Sequence, residues 1–289
     1  MSQILLENEF VSVKINEKGA ELVSLFNKNN DTEYLWQADP TYWARNAPIL
    51  FPIVGKILND KIKIKGQEYE MGQHGFARDL CHHLVEQSNS SANYQLNDNE
   101  FTKSKYPFAF ELHTQYELLE NGIQVNYKIV NPSVEAIYFS FGNHPAFNWP
   151  LNKEKSKAAY YLEFESLETA DRIQFENGFI TGEKNPYLKN EKVIQLSDDL
   201  FVNDALIFKD LNSTSIILKS DESKEKLKVS FQGYEYLGIW TKPEAPFVCI
   251  EPWCGIADNA NKPLTFEEKM GVQKLDSKKE FLCQVSYTF

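Results

Sequence analysis

Arginine is scarce in this 289-residue chain: of 30 basic side chains only Arg45, Arg78 and Arg172 carry a guanidinium. Surface charge falls to lysine, so a planar, multi-donor fork is expected to mark places where it is needed. Basic excess is also missing. The net charge is −11, which argues against a nucleic-acid backbone as partner, since that needs a basic face. No apolar run approaches the length of a membrane span. The N-terminal "MSQILLENEFVSVKIN" has neither a basic region nor a long apolar one, so no secretory signal is expected.

Cysteine patterning excludes further classes. Cys81, Cys249, Cys254 and Cys283 form no CxxC pair, which removes a zinc knuckle and a redox motif. They read as reduced thiols of a cytoplasmic protein, with Cys249 and Cys254 in small packing roles. HxH, HExxH and HxxxH pairs are absent, so no metal site is expected even though His74, His144 and Glu251 are ligand types. GxSxG and GxGxxG are absent too, against a serine hydrolase or a dinucleotide site. Long amphipathic helices and βαβ alternation are lacking, which disfavours a parallel doubly wound sheet.

What the chain has is alternation of period two. It recurs in "FVSVKIN", "KIKIKG", "FAFELHTQY", "IQVNYKI", "AIYFSF", "YYLEFES", "ALIF", "SIILKS", "LKVSF", "YLGIWT", "FVCIEPW" and "FLCQVSYTF". Turn compositions such as "NEKGA", "NKNND" and "LENG" separate these runs. Aromatic residues reach 13% and suit half-buried pleated surfaces. The economical reading is all-β: one antiparallel β-sandwich domain over residues 1–289. Short helical turns are expected at "DPTYWAR", "NEFTKSKY" and "SKEKL".

Five histidines are present. His113 lies opposite an apolar stripe and should face solvent. His82 and His83 open the strand-like "HHLVEQ" and should lie at a surface or edge. His74 stands apart in "MGQHGFARDL", where Gly72 and Gly75 permit positive φ or close backbone approach. His144 ends the strand-like "AIYFSF" between Asn143 and Pro145, facing either a turn or a cleft. Glu251 follows the apolar run Phe247–Ile250. A carboxylate there is costly unless paired or used, and burial would raise its pKa as a general base needs. An ion pair with one of the few arginines is the competing account. Asp204 opens the apolar "ALIF" and is also a common turn-initiating residue.

Together, "WARNAPILFPIVGK", "HGFAR", "YPFAFEL", "GNHPAFNWPL", "NDALIF" and "IEPWCG" resemble the aldose 1-epimerase (galactose mutarotase-like) family, and within it the LacX-like branch. Their order and spacing carry the likeness over nearly the whole chain. The resemblance implies a large antiparallel β-sandwich and interconversion of α and β aldose anomers without a cofactor. It implies Glu251 as base, His144 as acid and His74 as stabiliser near the ring oxygen. Arg45 or Arg78, with Asp204, would hold sugar hydroxyls. One of Trp36, Trp43, Phe147 and Trp253 would stack on the sugar. "HGFAR" also resembles the hexose-6-phosphate relatives, so Arg45, Lys56 and Arg78 leave a sugar or a sugar phosphate open as the small-molecule partner. A non-catalytic carbohydrate-binding protein on the same fold is the alternative. Monomer and homodimer are equally open.

Overall fold

The structure, a computed structural model, describes residues 2–289. It is built mostly of antiparallel strands. Nine strands form the largest sheet, which includes the C-terminal strand Glu280–Thr288 between Gly122–Val130 and Leu227–Gln232. A four-stranded sheet holds the N-terminal residues from Gln3 to Glu33. A six-stranded sheet carries Leu206–Lys209, Tyr236–Trp240, Phe247–Cys254, Phe141–Asn143, Ile49–Leu50 and Ala146–Asn148.

Period two explains how the six-stranded sheet divides its faces. Leu206, Phe208, Leu237, Ile239, Val248 and Ile250 point into the main core, shared with Val229, Val285 and Tyr287 of the large sheet. The alternate residues point the other way. Ile207, Tyr236 and Trp253 join one small cluster, and Phe247 and Cys249 another. Both faces of Phe247–Cys254 are therefore covered, and all eight residues are buried. A strand of this kind reads as a continuous apolar run, which is why Glu251 stands out in it.

Three local expectations need correction. The segment "SKEKL" forms no helical turn. It lies in the hairpin connection closed by Leu218 pairing with Leu227, and its last residue already belongs to the second strand. The helix Glu100–Lys105 does form, because Asn99 and Thr102 cap it reciprocally, and Asp39 nucleates a turn through Trp43. His82 is not a surface residue. It is fully buried, its N–H donating to Glu17 O at 2.9 Å and its Nε2 to Ala77 O at 3.0 Å. Only His83–Gln87 is an exposed edge. Alternation alone cannot place the residue before a strand. His113 is half-buried, opposite Leu112 and Thr114, and 3.4 Å from Glu111.

The largest departure is a hairpin of two 17-residue strands, Tyr160–Glu176 and Phe179–Gln195. Only Tyr160–Phe164 pairs with the neighbouring strand Ser215–Ser220. Beyond that the hairpin leaves the sheet as a two-stranded arm. Four register shifts break its alternation, which hides it from a period-two reading. Its tip, Asn177-Gly178, has both residues at positive φ, as a tight hairpin turn requires. The tip is fixed where Ile180 N–H donates to Asp258 O at 2.9 Å and Ala260 N–H to Ile180 O at 3.0 Å.

Two glycines give a matched test. Gly75 has φ +72°, and a Cβ there would sit 2.2 Å from Phe51 O. Gly66 has φ +83° with nothing near. Gly66→Ala should cost about 1 kcal/mol, the left-handed penalty alone. Gly75→Ala adds a backbone clash and should cost at least about 3 kcal/mol in denaturant unfolding. Equal costs would show that the loop does not press on Phe51.

Burial pushes His82 down to about 4. The unfolded residue binds its proton near 6.5, so the stability from the neutral buried ring is present above that value and lost as pH falls towards 4. Between neutrality and about pH 5, His82→Gln should lose about 2 kcal/mol less than the parent chain. Parallel pH curves would rule out His82 as the source.

Candidate active site

On the outer side of the six-stranded sheet lies an open cleft of about 1250 Å³. Glu251, His144, His74, Arg45, Arg78 and Asp204 all line it, although they come from five separate stretches of chain, His74 and Arg78 sharing one. Alternation brings Glu251 there from its strand. His144 arrives from the break between Phe141–Asn143 and Ala146–Asn148, its N–H held by Pro48 O at 3.1 Å. The side chain of Asn143 turns away and donates to the Tyr234 hydroxyl at 2.7 Å.

At the floor, His144 Nε2 is 3.2 Å from Glu251 Oε2. This is ion-pair distance without hydrogen-bond alignment, and Oε2 has no hydrogen-bonding partner among the described residues. The His144 ring is boxed by aromatic planes. Trp43 stacks on it at 4.8 Å, and Trp240 and His74 meet it edge-on at 5.7 and 5.5 Å. Desolvation dominates the electrostatics. It pushes Glu251 well above the ordinary carboxylate range, with the charge of Asp204 adding to the rise and the Trp253 indole opposing it. It pushes His144 down to about 3, with Arg78 and Arg45 adding to the fall.

His74 is pinned by a reciprocal pair of bonds. Its N–H donates to Gly55 O at 3.0 Å, and its Nδ1 accepts from Gly55 N–H at 3.1 Å. The ring proton is thereby placed on Nε2, which requires the Gln73 side-chain amide, 3.1 Å away, to turn its oxygen towards it, and burial keeps the ring neutral. The price is a left-handed φ of 67° at a histidine, which the Gly75 N–H to Gly72 O turn enforces.

The cationic side is equally anchored. Arg45 pairs with Asp79 at 2.9 Å. Arg78 donates to Gln73 O at 2.7 Å, while its buried Nε makes no hydrogen bond among the described residues but lies 3.8 Å from Asp79 Oδ2. Glu21 accepts the N–H groups of Asn46 and Ala47, both at 2.9 Å, and so fixes the chain beside Arg45. Lys56 lines the cleft and donates to Asn177 O at the hairpin tip at 3.2 Å.

Of the four aromatic candidates, Trp43 and Trp253 line the cleft. Trp36 donates its indole N–H to Trp43 O from below, and Phe147 is fully buried against Tyr287. Sequence reading missed Trp240, whose alternation in "YLGIWT" places it on the cleft face. It also missed the hairpin wall Gln174–Gly178. Arg172, singled out only for its rarity, donates to the carbonyls of Asn203, Asp204 and Ala205 at 2.8, 3.1 and 3.1 Å. It holds Asp204 at φ 66°. Arg172→Ala should speed amide hydrogen exchange around residues 203–206 and lower stability by ~1–2 kcal/mol, since a partly exposed guanidinium is discounted for screening. Unchanged local exchange would show that the loop holds itself.

Comparisons with known proteins give the family and the fold. A family model described as aldose 1-epimerase matches residues 2–269. The plasmid-encoded protein LacX of Lactococcus lactis subsp. lactis is 33% identical over 282 residues, covering 94% of each chain. The solved galactose mutarotase related enzyme of Lactobacillus acidophilus superposes with a TM-score of 0.94 at 36% identity, covering 99% of this chain and 97% of that one. A galactose mutarotase-like protein of Lactobacillus casei superposes with a TM-score of 0.93 at 32% identity, covering 99% of each.

Proposed function

The chain belongs to the aldose 1-epimerase family, and on that premise we propose that it interconverts the α and β anomers of an aldohexose or hexose phosphate. The observation that carries this reading is the His144–Glu251 pair, two proton-transfer groups 3.2 Å apart on the floor of a cleft. Mutarotation needs such a pair, because its two reacting oxygens, O1 and the ring oxygen O5, hang on the same carbon.

In the proposed reaction Glu251 takes the proton of the O1 hydroxyl as base. The C1–O5 bond breaks, C1 becomes an aldehyde, and O5 takes a proton from His144. Rotation about C1–C2 presents the other carbonyl face. On closure O5 returns its proton to His144, attacks C1, and the carbonyl oxygen recovers its proton from Glu251. Each proton transfer contributes roughly 10²–10⁴-fold. His74, with its proton on Nε2, donates towards the oxygen where charge develops. Asp204 and Arg78 or Arg45 hold hydroxyls, and Trp43, Trp240 or Trp253 offers a ring face. The three cations Arg45, Lys56 and Arg78 around one cleft favour extending the substrate class to a phosphorylated hexose.

Freshly dissolved α-glucose, α-galactose and a hexose 6-phosphate, followed by polarimetry or NMR, test the reading. At least one should equilibrate faster with protein present. Glu251→Gln and His144→Gln should each lower that rate by about 10²-fold or more, with circular dichroism unchanged. No acceleration of any sugar at high protein concentration would sink the enzyme reading and leave carbohydrate binding. Full activity in Glu251→Gln would remove that residue from the role of base.

A further inference from the structure

Beneath the acid–base pair sits a side chain that the proposed reaction does not use. Cys249 lies two residues before Glu251 on Phe247–Cys254, so both project to one face. Its thiol is fully buried beside Ala146, Ala245 and Phe247. Ala146 pairs with Cys249 across the sheet, and His144 stands two residues before Ala146, which brings the imidazole over the same point. The outcome is that Cys249 Sγ, one ring nitrogen of His144 and one carboxylate oxygen of Glu251 lie within 4.8 Å of one another.

We propose that His144, Cys249 and Glu251 form a binding site for a soft divalent cation of the zinc and cadmium class, entered from the cleft, and that its occupation switches the catalytic pair off. Thiolate, imidazole and carboxylate are the donor types such ions take, whereas magnesium and calcium prefer oxygen alone. Bonds of about 2.0–2.3 Å in tetrahedral geometry place donor atoms roughly 3.3–3.6 Å apart. His144 and Glu251 already approach that spacing at 3.2 Å, and the 4.8 Å limit leaves the thiol at most a little over an ångström too far, a gap that side-chain rotation can close. Three protein donors leave the fourth position open towards the cleft, where His144 and Glu251 are exposed to its contents.

Nearness is not the only support. Glu251 is 1% exposed, and its Oε2 has no hydrogen-bonding partner. A buried acceptor left in that state is costly unless something pairs with it. On binding, the thiol proton and the proton shared by the pair pass to solvent, and the cation accepts one electron pair from each of sulfur, nitrogen and oxygen. No group changes oxidation state. The ion thus occupies the lone pairs that proton transfer requires. Inhibition rests on the proposed function, whereas binding does not.

Cadmium supplies a probe that is independent of turnover. Titrated into the full chain, Cd²⁺ should give an ultraviolet thiolate-to-metal absorption that saturates at one ion per chain. The band should vanish in Cys249→Ser and in Cys249→Ala, the second variant guarding against a fold disturbed by a buried hydroxyl. It should persist in Cys81→Ser, which removes the exposed thiol. A missing band, or one that follows Cys81, overturns the site. In the anomer assay, zinc should inhibit the parent chain, and Cys249→Ser should keep the basal rate yet need about 10-fold more zinc or greater for the same loss. Equal zinc sensitivity overturns the switch. If no sugar is turned over, the cadmium band still decides the site, so the two failures are told apart.

Discussion

A carboxyl group inside a strand covered on both faces sets the terms for everything around it. An ionised, unpaired carboxylate at the position of Glu251 would cost several kcal/mol. The surroundings answer with a nitrogen at 3.2 Å and an indole beside it rather than with a full set of hydrogen bonds. The neighbouring strands are shaped for this. Gly238 stands opposite Glu251 in the register, and a Cβ there would meet the Trp253 ring at 2.6 Å. Gly142, on the other side, would meet the same ring at 2.6 Å. Both positions must be small for Trp253 to lie flat beside the acid. The sheet therefore tolerates a buried acid because its neighbours are bare.

Around that floor, rigidity comes from the backbone. His74 is held by both polar groups of Gly55, Asp204 by its flanking turn and Arg172, and the chain beside Arg45 by Glu21. Two of these site residues, His74 and Asp204, sit at left-handed φ, a strain that persists only where surroundings over-determine it. Groups fixed in this way need little reorganisation when charge develops. The scarcity of arginine gains meaning here. Arg45 and Arg78 line the cleft, and Arg172 holds one of its loops. In each the fork reaches a carboxylate or carbonyl that a point charge would hold less firmly.

Where alternation was regular, the fold was legible. "YLGIWT" and "FVCIEPW" place their residues on the faces that period two assigns. Glu251 was conspicuous because a covered strand leaves no ordinary reason for an acid. His144 and His74 were flagged by proline and glycine neighbours that do shape their turns. Hidden were features without local periodicity. Bulges disguise the long hairpin, and its tip is fixed at the cleft by Asp258, Ala260 and Lys56, all far away in sequence. His82 is buried partly through the distant Glu17 carbonyl, which no window around "HHLVEQ" contains. Cys249 looked like packing because its partners, His144 and Glu251, meet it only through strand register.

The electrostatics of the pair carry the last step. Burial moves Glu251 up and His144 down, so desolvation favours a proton on the carboxyl over a separated ion pair. The ion pair that the proposed reaction starts from differs only in the place of that proton, 3.2 Å away. A bound sugar alters the balance, because hydroxyl groups donating to the carboxylate favour its ionised form. Substrate would thus arm the pair that acts on it, and the empty site would carry no unpaired charge. Mutarotation then returns every proton it borrows, so one proton shared between two groups is enough for either direction of the reaction.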